Sequence, residues 1–119
     1  WGKTKVIVPI ELVTHKIMEE KIEKTLNGPD QDDYYSAALY EMESGKNYER
    51  GLEWINTTLK MREKTLWWDL RIKAILLMKL NRRKEALTLA KEGLVMAKNK
   101  ESEFGINEFN RILRELEMQ

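Results

Sequence analysis

One segment of this 119-residue chain nearly repeats itself, and this repeat constrains the fold more than any other feature. Residues 48–55 (YERGLEWI) return in altered form at 83–90 (RKEALTLA), so Gly51 and Ala86 are 86 − 51 = 35 residues apart. A period of about 34 residues, with a small residue early in the second helix of each unit, is typical of stacked helix pairs. The spacing predicts an all-α fold of stacked antiparallel helix hairpins.

Composition agrees with one compact helical domain. Apolar residues make up 42% of the chain, charged residues make up 34%, and there are only two prolines, a balance that argues against disorder. No apolar stretch reaches the roughly 18 residues that a membrane span needs. The net charge of +1 is far below the basic excess of most nucleic-acid-binding domains. We therefore expect no membrane span and no nucleic-acid partner.

The first residues carry a different pattern. Val6, Val8 and Ile10 alternate with other residues, which predicts a short strand within residues 1–12. Pro9 lacks an N–H group and places this strand at the edge or end of a sheet. We expect it to be the last strand of a preceding β domain in a longer protein. As an open edge, residues 5–10 should either be disordered or pair with a second copy in a homodimer.

Residues 13–119 are predicted to form the helical domain. Asp30 or Asp32, then Asn47 and Thr65, are suited to cap helices at their N-termini, and Gly45 to end one. The repeats are expected at about 32–64 and 66–99, preceded by a connector helix and followed by a capping helix. The predicted helices lie at about 14–26, 30–44, 48–64, 66–80, 83–98 and 102–118.

The apolar pattern indicates which helix is central. The helix over 66–80 is apolar on nearly all sides, as expected of a helix packed between neighbours, and Asn81 should end it. The last helix has a single apolar stripe, which suits a capping helix. We expect close helix approach at Ala86, Ala90 and Ala97, and a stripe formed by Ile106, Phe109, Leu113 and Leu116.

Small and large apolar residues recur at matched positions in both units: Leu70, Ala74, Leu77, Ala86, Ala90 and Gly93 in the second, and Tyr35, Leu39, Met42, Gly51, Ile55 and Thr58 in the first. This pattern resembles a tetratricopeptide repeat. It departs from the family in three ways: Gly51 replaces an alanine, neither unit closes with a proline, and the first turn is expected to be one residue longer.

The resemblance implies a groove, lined by the first helix of each pair, for a peptide or protein partner. Its candidate residues could instead pack against the first and last helices. The family's carboxylate-clamping positions are Ser36, Tyr40, Arg71 and Ile75 here, without the usual asparagine and lysine, so capture of an acidic chain terminus is not expected. The candidate groove residues are Ser36, Tyr40, Glu43, Trp68, Arg71, Ile75 and Lys79.

A second resemblance covers nearly the whole chain. The segments 1–6 (WGKTKV), 51–55 (GLEWI) and 68–74 (WDLRIKA) are similar to a bacterial family of uncharacterised proteins, in which a β-rich domain of unknown function precedes a helical tail. This resemblance implies an exported bacterial location and assigns no activity.

Other clusters favour structural roles. His15 and Glu19 lie four residues apart without further metal ligands, and residues 30–33 lack the glycine of a calcium loop. The basic run 82–84, with Lys79 nearby, is predicted to be a solvated turn.

No nucleophile elbow or glycine-rich phosphate loop is present. We expect no enzyme activity, metal or cofactor in this chain, and an interaction or scaffolding module. The alternative is a structural brace for a preceding β domain that carries any activity. Acidic residues concentrate at 30–53 and basic residues at 60–100, which suits either an acidic partner or attraction between the two hairpins.

Overall fold

A computed structural model of the chain describes residues 28–118, and these residues form five α-helices and no strand. The all-α prediction is confirmed for this part of the chain. The strand predicted at 5–10 and the helix predicted at 14–26 lie outside the described residues. The helices are α1 (Gln31–Ser44), α2 (Tyr48–Met61), α3 (Trp67–Lys79), α4 (Arg83–Asn99) and α5 (Glu103–Glu117).

The limits of the first hairpin follow from local side-chain chemistry. The Asp30 carboxylate accepts a hydrogen bond from the Asp33 backbone N–H at 2.9 Å, and the Asp33 carboxylate accepts one from the Asp30 backbone N–H at 2.9 Å. This reciprocal capping box confirms helix capping as a role of these acidic residues. Gly45 ends α1 in the left-handed conformation at φ 71°, and the Asn47 side chain caps α2 by accepting from Arg50 N–H at 3.0 Å.

The junction between the hairpins differs from the prediction. Thr65 does not cap α3, which begins at Trp67 after an extended Leu66 without any side-chain cap. Helix α2 ends at Met61, before the predicted Lys64, because Arg62 turns extended (ψ 142°) and its side chain reaches Asp69 on α3.

The two hairpin turns, 45–47 and 80–82, are equal in length, so the prediction of a longer first turn is wrong. Asn81 has φ 62° and follows α3. This left-handed residue confirms the predicted break, since asparagine tolerates that conformation better than most residues.

Helix α3 lies at the centre of the described fold. It contacts each of the other four helices, whereas α2 and α4 do not touch each other within residues 28–118. Helices α1, α3 and α5 are thus neighbours in series, and α2 and α4 each pair with the helix that precedes them. This arrangement confirms the central role predicted for the helix with apolar residues on nearly all sides.

Small residues permit the close helix contacts. A Cβ added at Gly93 would lie 2.2 Å from the Phe109 ring, and one at Gly51 would lie 3.1 Å from Leu76. On α5, Phe109 and Leu116 are fully buried as predicted, but Ile112, which was not predicted, is the third fully buried residue. The close-approach residues Ala86, Ala90 and Ala97 are also fully buried.

Candidate functional site

The candidate groove residues divide between exposed and buried positions. On α1, the side chains of Ser36, Tyr40 and Glu43 are exposed, Tyr40 to 54%. On α3, Trp68 is 37% exposed and lies on the surface with Lys79, while Arg71 is half-buried and Ile75 belongs to the core. Most of the predicted groove residues are therefore on the surface, where a partner could contact them, whereas Ile75 packs in the core.

An aromatic cluster joins α3 to the start of α5. The ring centroids of Trp67 and Trp68 lie 5.4 Å apart with an interplanar angle of 85°. Trp67 also lies 6.2 Å from Phe104 and 6.4 Å from Phe109. Phe104 is 60% exposed and was missed by the sequence analysis, although an aromatic residue outside the apolar stripe of α5 was a usable signal.

Arg71 links α3 to α5 and lies beside the exposed Phe104 ring. Its Nε donates to Glu108 Oε1 at 2.8 Å, and its guanidinium carbon lies 5.6 Å from the Phe104 ring centroid. Arg111 also donates to Glu108, at 3.2 Å. Burial acts to raise the pKa of Glu108, but the hydrogen bonds from Arg111 and Arg71 outweigh it and lower the pKa. We call Trp68, Arg71 and Phe104 the aromatic face.

A buried ion pair lies beneath the junction of the two hairpins. Arg62 Nη2 donates to Asp69 Oδ1 at 3.2 Å, and the Asp69 side chain is fully buried. Burial raises the pKa of Asp69, and the hydrogen bond from Arg62 opposes that effect without cancelling it. Arg62 also lies 5.8 Å from the Tyr35 ring centroid. Arg62, which follows α2, thus contacts both Asp69 on α3 and Tyr35 on α1.

A cavity of about 440 Å³ opens where α3 begins and α4 gives way to α5. We call it the end cavity. Its apolar wall includes both adjacent tryptophans, and its polar rim includes one lysine. The lining residues are Thr65, Leu66, Trp67, Trp68, Met96, Asn99, Lys100 and Ser102.

We found no protein-family model, curated protein or solved structure that matches this chain. What the site can bind is therefore inferred from its own residues alone. None of the helices described between residues 28 and 118 is long and apolar enough to cross a membrane. Within the same residues, no three potential metal-ligating side chains of the His, Cys, Asp or Glu type are grouped together. The pair His15 and Glu19 lies outside this range.

Two arginines of the basic run at the α3–α4 turn form hydrogen bonds within the domain. Arg82 forms two hydrogen bonds with Glu85, each at 2.9 Å. Arg83 Nε donates to the backbone carbonyl of Leu116 at 2.9 Å, so it satisfies a carbonyl in the last turn of α5. Arg82 thus forms hydrogen bonds at the start of α4, and Arg83 forms one at the end of α5.

Proposed function

We propose that this chain is a helical protein-interaction or scaffolding module, built from tetratricopeptide-like hairpins and forming part of a larger bacterial protein. The aromatic face carries the proposal. Trp68 and Phe104 are 37% and 60% exposed, and Arg71 lies beside Phe104. Tryptophan and arginine side chains are favoured anchors in protein interfaces, and exposed apolar patches often mark interaction sites.

The helix arrangement supports the tetratricopeptide-like assignment. The two hairpins begin their second helices at Tyr48 and Arg83, which are 83 − 48 = 35 residues apart, close to the period of that repeat. The first helices of successive units are in contact, and α5 continues that series. Tyr40, a predicted groove residue on α1, is also exposed, to 54%.

The alternative function is a structural brace for a preceding β domain that carries any enzymatic or ligand-binding activity. Two observations favour it. Ile75 is only 7% exposed, and Arg71 is held by Glu108 on α5. These two residues of the predicted groove are thus engaged in contacts within the domain, which leaves a shorter surface for a partner.

Selection of short random peptides displayed on phage, against the intact chain, tests the interaction function. The test variant carries Trp68→Ala and Phe104→Ala; the control carries Met61→Ala and Val95→Ala, which truncate exposed apolar residues outside the aromatic face. We expect related peptides to bind the wild type and the control, and to lose at least about tenfold in affinity for the test variant. Equal peptide binding by all three proteins, or no enrichment on the wild type, would contradict the interaction function and favour the brace.

A further inference from the structure

We propose that the end cavity binds a small aromatic carboxylate, which is a planar apolar ring system carrying one negative charge. This small-molecule site is proposed independently of peptide binding by the aromatic face, although Trp68 belongs to both surfaces. The inference rests on three properties of the cavity: the shape of its wall, the hydrogen-bonding character of its rim, and its charge.

Two indole rings define the wall. Trp67 and Trp68 meet almost at right angles, with an interplanar angle of 85° and centroids 5.4 Å apart. Trp67 is held in place by close packing, since a Cβ added at Gly105 would lie 3.2 Å from its Cδ2 atom. Two perpendicular rings offer a planar ligand both stacked and edge-to-face contacts, the two favoured aromatic geometries. Leu66 and Met96 complete the apolar surface.

The rim supplies hydrogen-bond donors. The Ser102 hydroxyl oxygen accepts from Gly105 N–H at 3.1 Å, which leaves the hydroxyl proton free to donate. Thr65 and Asn99 add a hydroxyl and an amide group. Lys100 forms no ion pair with any residue in the described part of the chain. A carboxylate is the group that best uses several donors and one ammonium.

The charge of the lining favours an anion. Among the residues that the structure describes, no carboxylate lines the end cavity, and Glu101 and Glu103, the sequence neighbours of Ser102, are not among its lining residues. In contrast, Glu49 and Glu53 line a cavity of about 390 Å³ beside α2, and Glu63 lines one of about 460 Å³ beside the α2–α3 connection. The absence of acidic residues from its described lining distinguishes the end cavity from these two.

The volume limits the ligand to a small molecule. A cavity of about 440 Å³ lies near the lower end of the range of about 300–1,000 Å³ that is usual for small-molecule sites. A fused two-ring carboxylate is therefore a suitable probe, and we choose 2-naphthoate. Its amide, 2-naphthamide, has nearly the same shape without the negative charge.

Titration of the intact chain, followed through the indole N–H signals in ¹⁵N NMR spectra, tests the proposal. We expect 2-naphthoate to shift the Trp67 and Trp68 signals with a dissociation constant below about 1 mM and to leave the Trp54 signal unchanged. The amide should bind about tenfold more weakly, since it lacks the charge-assisted contact. Lys100→Ala should abolish that difference between the two probes. The control Lys91→Ala, which removes an exposed lysine of α4 outside the end cavity, should preserve it.

Two results would overturn the proposal. One is the absence of any shift of the Trp67 and Trp68 signals at millimolar 2-naphthoate. The other is equal affinity of the wild type for 2-naphthoate and 2-naphthamide, which would show that the rim does not select a carboxylate. Neither result depends on peptide binding, so the proposal can fail while the interaction function stands.

Discussion

The first hairpin buries a charge at the position where the second hairpin buries leucine. Glu41 on α1 and Leu76 on α3 are 76 − 41 = 35 residues apart and are 1% and 0% exposed. Both side chains lie against Gly51. Glu41 Oε2 accepts from Arg50 Nε at 3.0 Å and lies 2.9 Å from Nη2, whereas its Oε1 has no hydrogen-bond partner in the described part of the chain.

The difference follows from the number of neighbours that each helix has. Helix α1 contacts only α2 and α3 among the described helices, while α3 contacts four. Arg50 can therefore reach Glu41 from the surface, where the Arg50 side chain remains 52% exposed. A charge at Leu76 would be enclosed without such a partner, at a cost of several kcal/mol. Corresponding positions of the two hairpins thus accept different chemistry on α1, which has two described neighbours, and on α3, which has four.

The largest expected effect concerns the apolar second half of the fold. Phe109 is fully buried, and its ring packs directly on Gly93. We expect Phe109→Ala to lower the free energy of unfolding by about 3–5 kcal/mol, because it removes this contact and leaves a cavity. Urea denaturation followed by circular dichroism measures the loss. Phe104→Ala, on the same helix at a 60% exposed position, is the control and should cost less than about 1 kcal/mol. Similar losses in both variants would contradict the packing that we describe.

A smaller effect tests the charged position of the first hairpin. Arg50→Ala leaves the Glu41 carboxylate buried and unpaired, so we expect a loss of about 2 kcal/mol, less than for a fully buried pair because Arg50 is half-exposed. Glu41→Leu, which copies the second hairpin, should leave the free energy of unfolding unchanged or raise it by about 1 kcal/mol.

The double variant with both substitutions completes the thermodynamic cycle. Because Glu41→Leu removes the carboxylate that Arg50 neutralises, adding Arg50→Ala should then cost less than about 0.5 kcal/mol. Urea denaturation of the four proteins provides the comparison. A loss of about 2 kcal/mol from Arg50→Ala even in the presence of Leu at position 41 would show that Arg50 acts through its packing on Trp54, whose ring centroid is 5.1 Å away, and not through Glu41.

The helices themselves were largely predictable from the sequence because their signals are local. Gly45, Asn47 and Asn81 act on the backbone within a few residues of their own positions. The apolar pattern also identified α3 as the central helix, since a helix with apolar residues on nearly all sides requires neighbours on all sides.

Contacts between distant residues were not predictable in the same way. Nothing local to Arg62 shows that it will turn towards Asp69 and end α2 early. The burial of Glu41 depends on Gly51, which lies on another helix. The end cavity likewise brings together residues 65–68 and 96–102, which are separate in sequence and meet only because α3, α4 and α5 pack together.

The smallest expected effect concerns pH, and it compares the two carboxylates that join α3 to its neighbours. Asp69 on α3 pairs with Arg62 from the first hairpin, and Glu108 on α5 pairs with Arg71 on α3. Burial raises the pKa of Asp69 above its ordinary value of 3.8. The hydrogen bonds from Arg111 and Arg71 overcome burial at Glu108 and lower its pKa below the ordinary value of 4.5.

These opposite shifts predict opposite pH dependences. A carboxyl group with a lowered pKa stabilises the fold above pH 4.5, and this contribution is lost as the pH falls through the folded-state pKa. A group with a raised pKa contributes fully below pH 3.8 and loses that contribution as the pH rises through the folded-state pKa. Between about pH 6 and about pH 3, the free energy of unfolding of the wild type should therefore fall relative to that of Glu108→Gln, by less than about 1 kcal/mol. Over the same range, it should rise relative to that of Asp69→Asn. Urea denaturation across this range measures both differences, and a change of the same sign in the two would contradict the contrast between the two ion pairs.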